Sequence, residues 1–418
     1  MTTSPALSLR ALFSYGLFGF PLAMVALPIY IFVPQFYAQR SGLTLATIGL
    51  ALLVTRLFAA LTDPLLGWWV QRGGGAYTPY LLLSLPLLLL GFGALFHPPE
   101  LAKGAVLAWF IASLLLVYLG FGLAMITHQS WGAALTQAPL QRTRVAAIRE
   151  GCGLAGVVIT AGLSGWMGYD ALSLAFAVCL LLSAMLLLRQ APRPAASANS
   201  GASAALPLTR ASLLTPFASK PYRALFAVLI VNGVAAAIPA TLFLFFADDK
   251  LQLGKYAGAF LVLYFIAAAA SMPLWVALAR CWGEARAWVA GMLLSALVFV
   301  WAFALGAGAL YGFGAICLLS GIALGADLAL PPALLAGVIS RAGHSGQREA
   351  AYFGWWNWGV QMTLALAAGI SLPLLEWLGY VPGQSGGVPA LSVAYALLPC
   401  GLKLIAAAML WRAPLRDC

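Results

Sequence analysis

The chain has 418 residues, of which 63% are hydrophobic and 8% charged, with a formal net charge of +11 and a mean hydropathy of +0.96. A water-soluble fold of this length cannot bury so much apolar surface, which excludes a soluble globular protein. The positive charge does not mark a nucleic-acid binder, because it is spread over loop ends between apolar runs, where membrane topology alone requires it.

Twelve long apolar runs follow one another, at about 10–36, 43–70, 79–97, 104–135, 145–165, 168–189, 221–247, 256–279, 286–306, 309–336, 348–377 and 390–412. A run of about 20 residues crosses a hydrocarbon core of roughly 30 Å as a helix. Backbone groups in lipid must bond internally, so these runs are expected to be helices and not open sheet. Several exceed the perpendicular length, which allows tilt or bending. The first run is too long for a cleavable signal and lacks a small-residue cleavage site.

The second run carries Arg56 and Asp63. Seven residues are nearly two turns, so both lie on one side, roughly 10 Å apart along the axis. Ionisable groups within spans are costly and usually functional. Asp63 is either a proton or cation site or, with Pro64 next to it, a lock on the cytoplasmic helix ends. The fourth run contains Thr127-His128-Gln129-Ser130-Trp131. Four consecutive polar side chains cannot all face lipid, so some should line a cavity, and His128 titrates near neutral pH when unperturbed. Arg149 and Glu150 are expected to open the fifth run. Arg149 either holds an anionic or polyhydroxylated ligand through its planar fork or marks the boundary, and Glu150 pairs with it or with a loop arginine.

Residues 190–215 break the pattern, being rich in Ala, Ser and Pro, and suggest a flexible cytoplasmic linker. The expected organisation is 1–189 as a first six-helix half, 190–220 as linker and 221–418 as a second half. The halves are weakly alike. Asp63-Pro-Leu-Leu-Gly-Trp-Trp-Val-Gln-Arg72 ends the second run and Ser271-Met-Pro-Leu-Trp-Val-Ala-Leu-Ala-Arg280 the eighth; Gln141-Arg-Thr-Arg144 follows the fourth and Gly346-Gln-Arg348 the tenth. Two repeated halves imply a secondary transporter with its site between them. In the second half Asp327 can balance Lys403 or Arg56. Asn357 and Gln361 accompany the aromatic cluster Tyr352, Phe353, Trp355, Trp356 and Trp358, which is either a stacking wall for a ligand or helix packing.

With the N-terminus inside, sixteen basic residues fall in inner segments and four (Arg40, Lys103, Lys250 and Lys255) in outer ones. This bias puts both termini in the cytoplasm of a bacterial-type inner membrane. The six cysteines contain no C-x-x-C, so no disulfide framework, metal site or cofactor is expected. The three histidines stand far apart, without H-E-x-x-H or an arranged nucleophile and base, so an enzyme is not expected.

Tyr15-Gly-Leu-Phe-Gly19, Thr62-Asp-Pro-Leu-Leu-Gly67, Gly132-Ala-Ala-Leu-Thr136 with Arg142-Thr-Arg144, Gly321-Ile-Ala-Leu-Gly-Ala-Asp327, Tyr352-Phe-Gly-Trp-Trp-Asn357 and Leu378-Gly-Tyr380 recur in order along the chain. Together they resemble the major facilitator superfamily, in particular the glycoside–pentoside–hexuronide:cation symporters that include melibiose permease. The resemblance implies the all-α major facilitator fold, twelve transmembrane helices in two six-helix halves, and cation-driven movement of a sugar-like solute. Asp63 matches the family's Asp-Pro carboxylate of cation coupling, Arg149 its fifth-span arginine, and Trp131 an aromatic bordering the ligand. The chain departs from the family in lacking the first-span acid near Pro21, in having Ala59 one turn before Asp63, in lacking a fourth-span acid near Thr127 and His128, and in having Gln361 for the eleventh-span lysine. Sodium needs several hard oxygen ligands whereas a proton needs one carboxylate, which favours protons.

The expected substrate contacts are therefore Thr127, Gln129, Trp131, Arg149, Asn357 and Gln361, the coupling residues Asp63 and His128, and the intramembrane charge network Arg56, Glu150, Asp327 and Lys403. The expected partners are a small solute, a coupling cation and the bilayer, with the chain a monomer. The rival readings are an exporter of amphipathic compounds and a non-transporting sensor of the same fold.

Overall fold

The computed structural model describes residues 7–40, 45–100, 103–163, 169–193, 213–345, 347–380 and 387–415, and among these it is helical with no strand. Most of the linker expected at 190–215 lies outside the described residues. Two segments, Leu9–Gly16 and Gly19–Arg40, form α1. Then come α2 (Leu45–Gln71), α3 (Thr78–Phe96), α4 (Lys103–Ala134), α5 (Pro139–Leu163) and α6 (Tyr169–Gln190). These are followed by α7 (Lys220–Phe245), α8 (Ala257–Trp282), α9 (Glu284–Phe299), α10 (Leu310–Arg341) and α11 (Glu349–Trp377). In α12, a π-helical turn at Val393–Leu397 joins Val388–Ser392 to Leu398–Arg412.

Each of the twelve apolar runs thus coincides with a helix. Nine of them, α2–α4, α6–α10 and α12, are long and apolar enough among the described residues to cross a membrane. Helix ends run past the apolar runs in places. α5 begins at Pro139, so Arg149 and Glu150 lie about three turns inside it and do not open it. Proline suits a first helical position, and Gln141 to Arg144 are adequate helix formers, so the helix continues beyond its apolar part.

The chain divides into two compact units, Met1–Pro216 with Ile339–Trp358, and Phe217–Val338 with Gly359–Cys418. In the first unit α3 packs on α4, α1 on α5, and α2 on α4. Glycines permit the approach. A side chain at Gly91 would meet the backbone nitrogen of Val117 at 2.7 Å, and one at Gly156 would collide with the Phe20 carbonyl. Small residues at such contacts are how membrane helices gain close packing without a hydrophobic driving force. The first turns of α11 press on α2, where a side chain at Gly354 would lie 2.7 Å from the Asp63 carbonyl oxygen. Gly156→Leu is expected to cost about 1–3 kcal/mol by overpacking against rigid backbone, read as a lower melting temperature of the solubilised protein; an unchanged melting temperature would contradict this packing.

In the second unit α7 and α9 pack on α12, and α8 on α9. Its core is aromatic. Phe246, in a π-helical turn that extends α7 to Lys250, stacks on Tyr395 in the π turn of α12, with centroids 3.9 Å apart and planes at 7°. Phe260 and Phe313 add an edge-to-face pair at 4.9 Å.

Candidate functional site

In the first unit the break of α1 at Leu17–Phe18 sets the geometry. Gly16 and Gly19 flank it and lie against Ile148 and Arg149 of α5; a side chain at Gly19 would sit 2.8 Å from the Arg149 carbonyl oxygen. The same turn brings Tyr15 to α4. The Tyr15 hydroxyl donates to the His128 carbonyl at 2.8 Å, and His128 Nε2 lies 3.0 Å from the Tyr15 carbonyl. A carbonyl only accepts, so Nε2 carries the proton and Nδ1 is left as an acceptor. The imidazole is fully buried, 4.4 Å from the Tyr15 ring and 5.2 Å from the Phe18 ring.

Arg149 reaches this pair. Its Nε donates to Glu150 Oε1 at 3.2 Å, Nη2 converges on the same oxygen, and its charge acts on the Tyr15 hydroxyl. Arg149 is 5% exposed. The structure therefore gathers Tyr15, His128, Arg149 and Glu150 at one place, and it selects Arg149 as the partner of Glu150. Thr127, Gln129 and Ser130 are also buried. Ser130 bonds back to the Ile126 carbonyl at 2.6 Å, whereas Thr127 Oγ1, His128 Nδ1 and Gln129 Oε1 have no protein partner among the described residues. Buried polar atoms of this kind each cost about 1–3 kcal/mol unless a ligand or water satisfies them.

Asp63 is 5% exposed. Its carboxylate lies over Gly122 of α4, where a side chain would come within 2.7 Å of Oδ1. It forms no ion pair with Arg56, because the helical rise separates the two along the axis and Asp63 turns into the unit while Arg56 is half-buried. Trp131 has its own anchors. Its indole N–H donates to the Pro192 carbonyl at 3.0 Å, and its ring lies 6.3 Å from that of Tyr77. Tyr77, just ahead of α3, donates to Glu349 Oε2 at 3.1 Å. Burial first and the Glu349 charge second hold the Tyr77 hydroxyl well above its ordinary pKa, so it remains a donor. Asn357, on α11, leaves its Nδ2 without a partner among the described residues, and Gln361 one turn later is half-buried.

The second unit holds a separate polar cluster. The Lys403 ammonium pairs with Asp327 Oδ2. Asp327 Oδ1 accepts from Asn232 Nδ2 at 3.1 Å and from Trp288 Nε1 at 2.8 Å. Of the two partners open to Asp327, Lys403 is the one taken. The sequence by itself gives Tyr15, Asn232 and Trp288 no role. A lone amide inside an apolar run marks Asn232, and the Tyr15-Gly-Leu-Phe-Gly19 motif contains Tyr15; Trp288 carries no signal among fourteen tryptophans.

Residues 12–417 match the family described as "MFS/sugar transport protein". The chain belongs to that family. This MFS member is 29% identical over 163 residues to the uncharacterized symporter YjmB of Bacillus subtilis (strain 168), a match covering 38% of this chain and 36% of that one. The match thus spans about a third of that relative. Among solved structures it is similar to a bacterial homologue of the iron transporter ferroportin in the outward-facing state, with a TM-score of 0.71, 16% identity, and 97% and 99% of the two chains covered. It is also similar to the E. coli fucose:proton symporter FucP, with a TM-score of 0.68, 15% identity, and 96% and 98% covered. At these identities the structural likeness concerns the fold. The family and fold are those of multi-pass membrane transporters.

Proposed function

We propose that this chain is a proton-coupled symporter that moves a small, sugar-like solute by alternating access. The observation that carries the reading is Asp63, a buried carboxylate in an apolar helix with room beside it at Gly122 and no ion-pair partner among the described residues. One carboxylate suffices for a proton, whereas sodium needs several hard oxygens, and Ala59 stands one turn earlier. His128, with its open Nδ1, takes part in the same coupling. The family description and the fucose:proton and symporter relatives support a sugar-like solute and a coupling cation.

For the solute, Arg149 supplies charge-assisted hydrogen bonds beside Glu150, and Thr127 and Gln129 supply open oxygen acceptors, a set that suits hydroxyl groups. Asn357 and Gln361 contribute from α11, and Trp131 borders the solute through its aromatic face. Arg56 and the Asp327–Lys403 pair complete the charge balance. The protein works as a monomer in a bacterial-type inner membrane.

Purified protein in liposomes tests this. A panel of neutral sugars is expected to accumulate under an inward proton gradient, to exchange in counterflow without one, and to be lost on adding a protonophore. Accumulation driven by sodium alone sinks proton coupling; no movement of any panel member in either assay sinks the sugar reading.

With Arg149 set inside α5, a fifteen-to-four bias of basic residues supports cytoplasmic termini and linker. A Ser200→Cys variant should therefore resist a membrane-impermeant thiol reagent in intact cells and react once the membrane is opened. Labelling from outside reverses the topology.

A further inference from the structure

Asn232 is 6% exposed in α7, inside the second unit. Its Nδ2 is committed to Asp327 Oδ1. Turning the amide over would set oxygen against carboxylate oxygen, so the orientation is dictated by Asp327. That leaves Asn232 Oδ1 buried with no partner among the described residues. Asp327 is otherwise satisfied, by the Trp288 indole on Oδ1 and by Lys403 on Oδ2. The cluster thus spends an ion pair and an indole to hold one amide with its carbonyl oxygen unmet.

An unmet acceptor calls for a donor. The Asp327–Lys403 pair is neutral as a whole, and Lys403, itself 5% exposed, repels a second cation. An ammonium or metal ion is therefore disfavoured, and an anion finds an acceptor where it needs a donor. A neutral hydroxyl fits, because it donates to Asn232 Oδ1 and adds no charge. We infer that Asn232, oriented by Asp327 and Lys403, is a docking point in the second unit for one neutral hydroxyl group of the transported solute. The inference rests on the sugar-like reading above and extends the binding set to α7. Trp288 and Lys403 act as positioning residues through Asp327.

The test uses the full-length purified protein, with D-glucose, D-galactose, D-mannose, L-fucose and D-xylose and their singly deoxygenated derivatives as probes, read by calorimetry and thermal shift. Asn232→Leu is expected to weaken the best parent sugar about tenfold or more. For the derivative lacking the hydroxyl that meets Asn232, wild type and variant should bind alike. A purely structural amide, or one holding only a trapped water, would penalise every derivative equally, and that result overturns the inference. If Asn232→Leu does not give a monodisperse protein, Asn232→Ser, which keeps an oxygen, is carried through the same cycle with the same criterion. Equal binding by wild type and variant removes the docking point and leaves sugar transport standing. Failure of every panel sugar to bind wild type removes both.

Discussion

Asp63→Asn is expected to abolish uphill accumulation of solute while preserving exchange. A pH difference of about one unit sustains roughly tenfold accumulation when one proton moves with each solute, because each tenfold ratio corresponds to about 1.4 kcal/mol. Asparagine keeps the shape of the carboxyl beside Gly122 and removes its ability to gain and lose a proton. The accumulation ratio in proteoliposomes should therefore fall to near one. Counterflow, which needs no net proton movement, should continue. Normal proton-driven accumulation by the variant rules out Asp63 as the coupling group. Equal loss of both activities, with poor yield, assigns it instead to locking helix ends, a role that its closeness to the α2–α11 contact at Gly354 makes physically concrete.

Arg149→Lys is expected to weaken solute binding by about 1.5–3 kcal/mol, roughly 10- to 150-fold, by loss of a charge-assisted hydrogen bond. Lysine keeps the charge. It cannot direct two nitrogens onto Glu150 Oε1, as the guanidinium does here, and still offer a further donor in a fixed plane. The measurement is calorimetry with the sugar identified in the liposome screen, with melting temperature as the control for folding. Trp131→Ala belongs in the same experiment. If both variants bind like wild type, the solute site lies elsewhere, and Arg56 and Asp327 become the next residues to test.

Much of this protein was legible before any coordinates. Lipid offers no partners for backbone groups, so apolar runs of this length have to be helices, and every run coincides with one. The four polar residues Thr127 to Ser130 cannot all face lipid, and all four are buried. Asp63 was visible as a carboxylate in an apolar span, and the ordered motifs pointed to the family that residues 12–417 match.

Partnership between helices was not legible. Asp327 had two open candidates, and it lies 76 positions from Lys403, the one it takes. Tyr15 and His128 exchange hydrogen bonds across 113 positions, and nothing in either segment names the other. Periodicity tells which residues share a face of one helix, but not how that helix is rotated or shifted against its neighbour. Those two quantities come from close contacts such as Gly19 on Arg149 and Gly156 on Phe20, where a missing side chain lets backbones touch. The sequence by itself therefore determined the helices, their polar exceptions and the family. Only the tertiary structure decided which buried groups satisfy one another, because that depends on helix packing, and so which acceptors, such as Asn232 Oδ1, have no protein partner among the described residues.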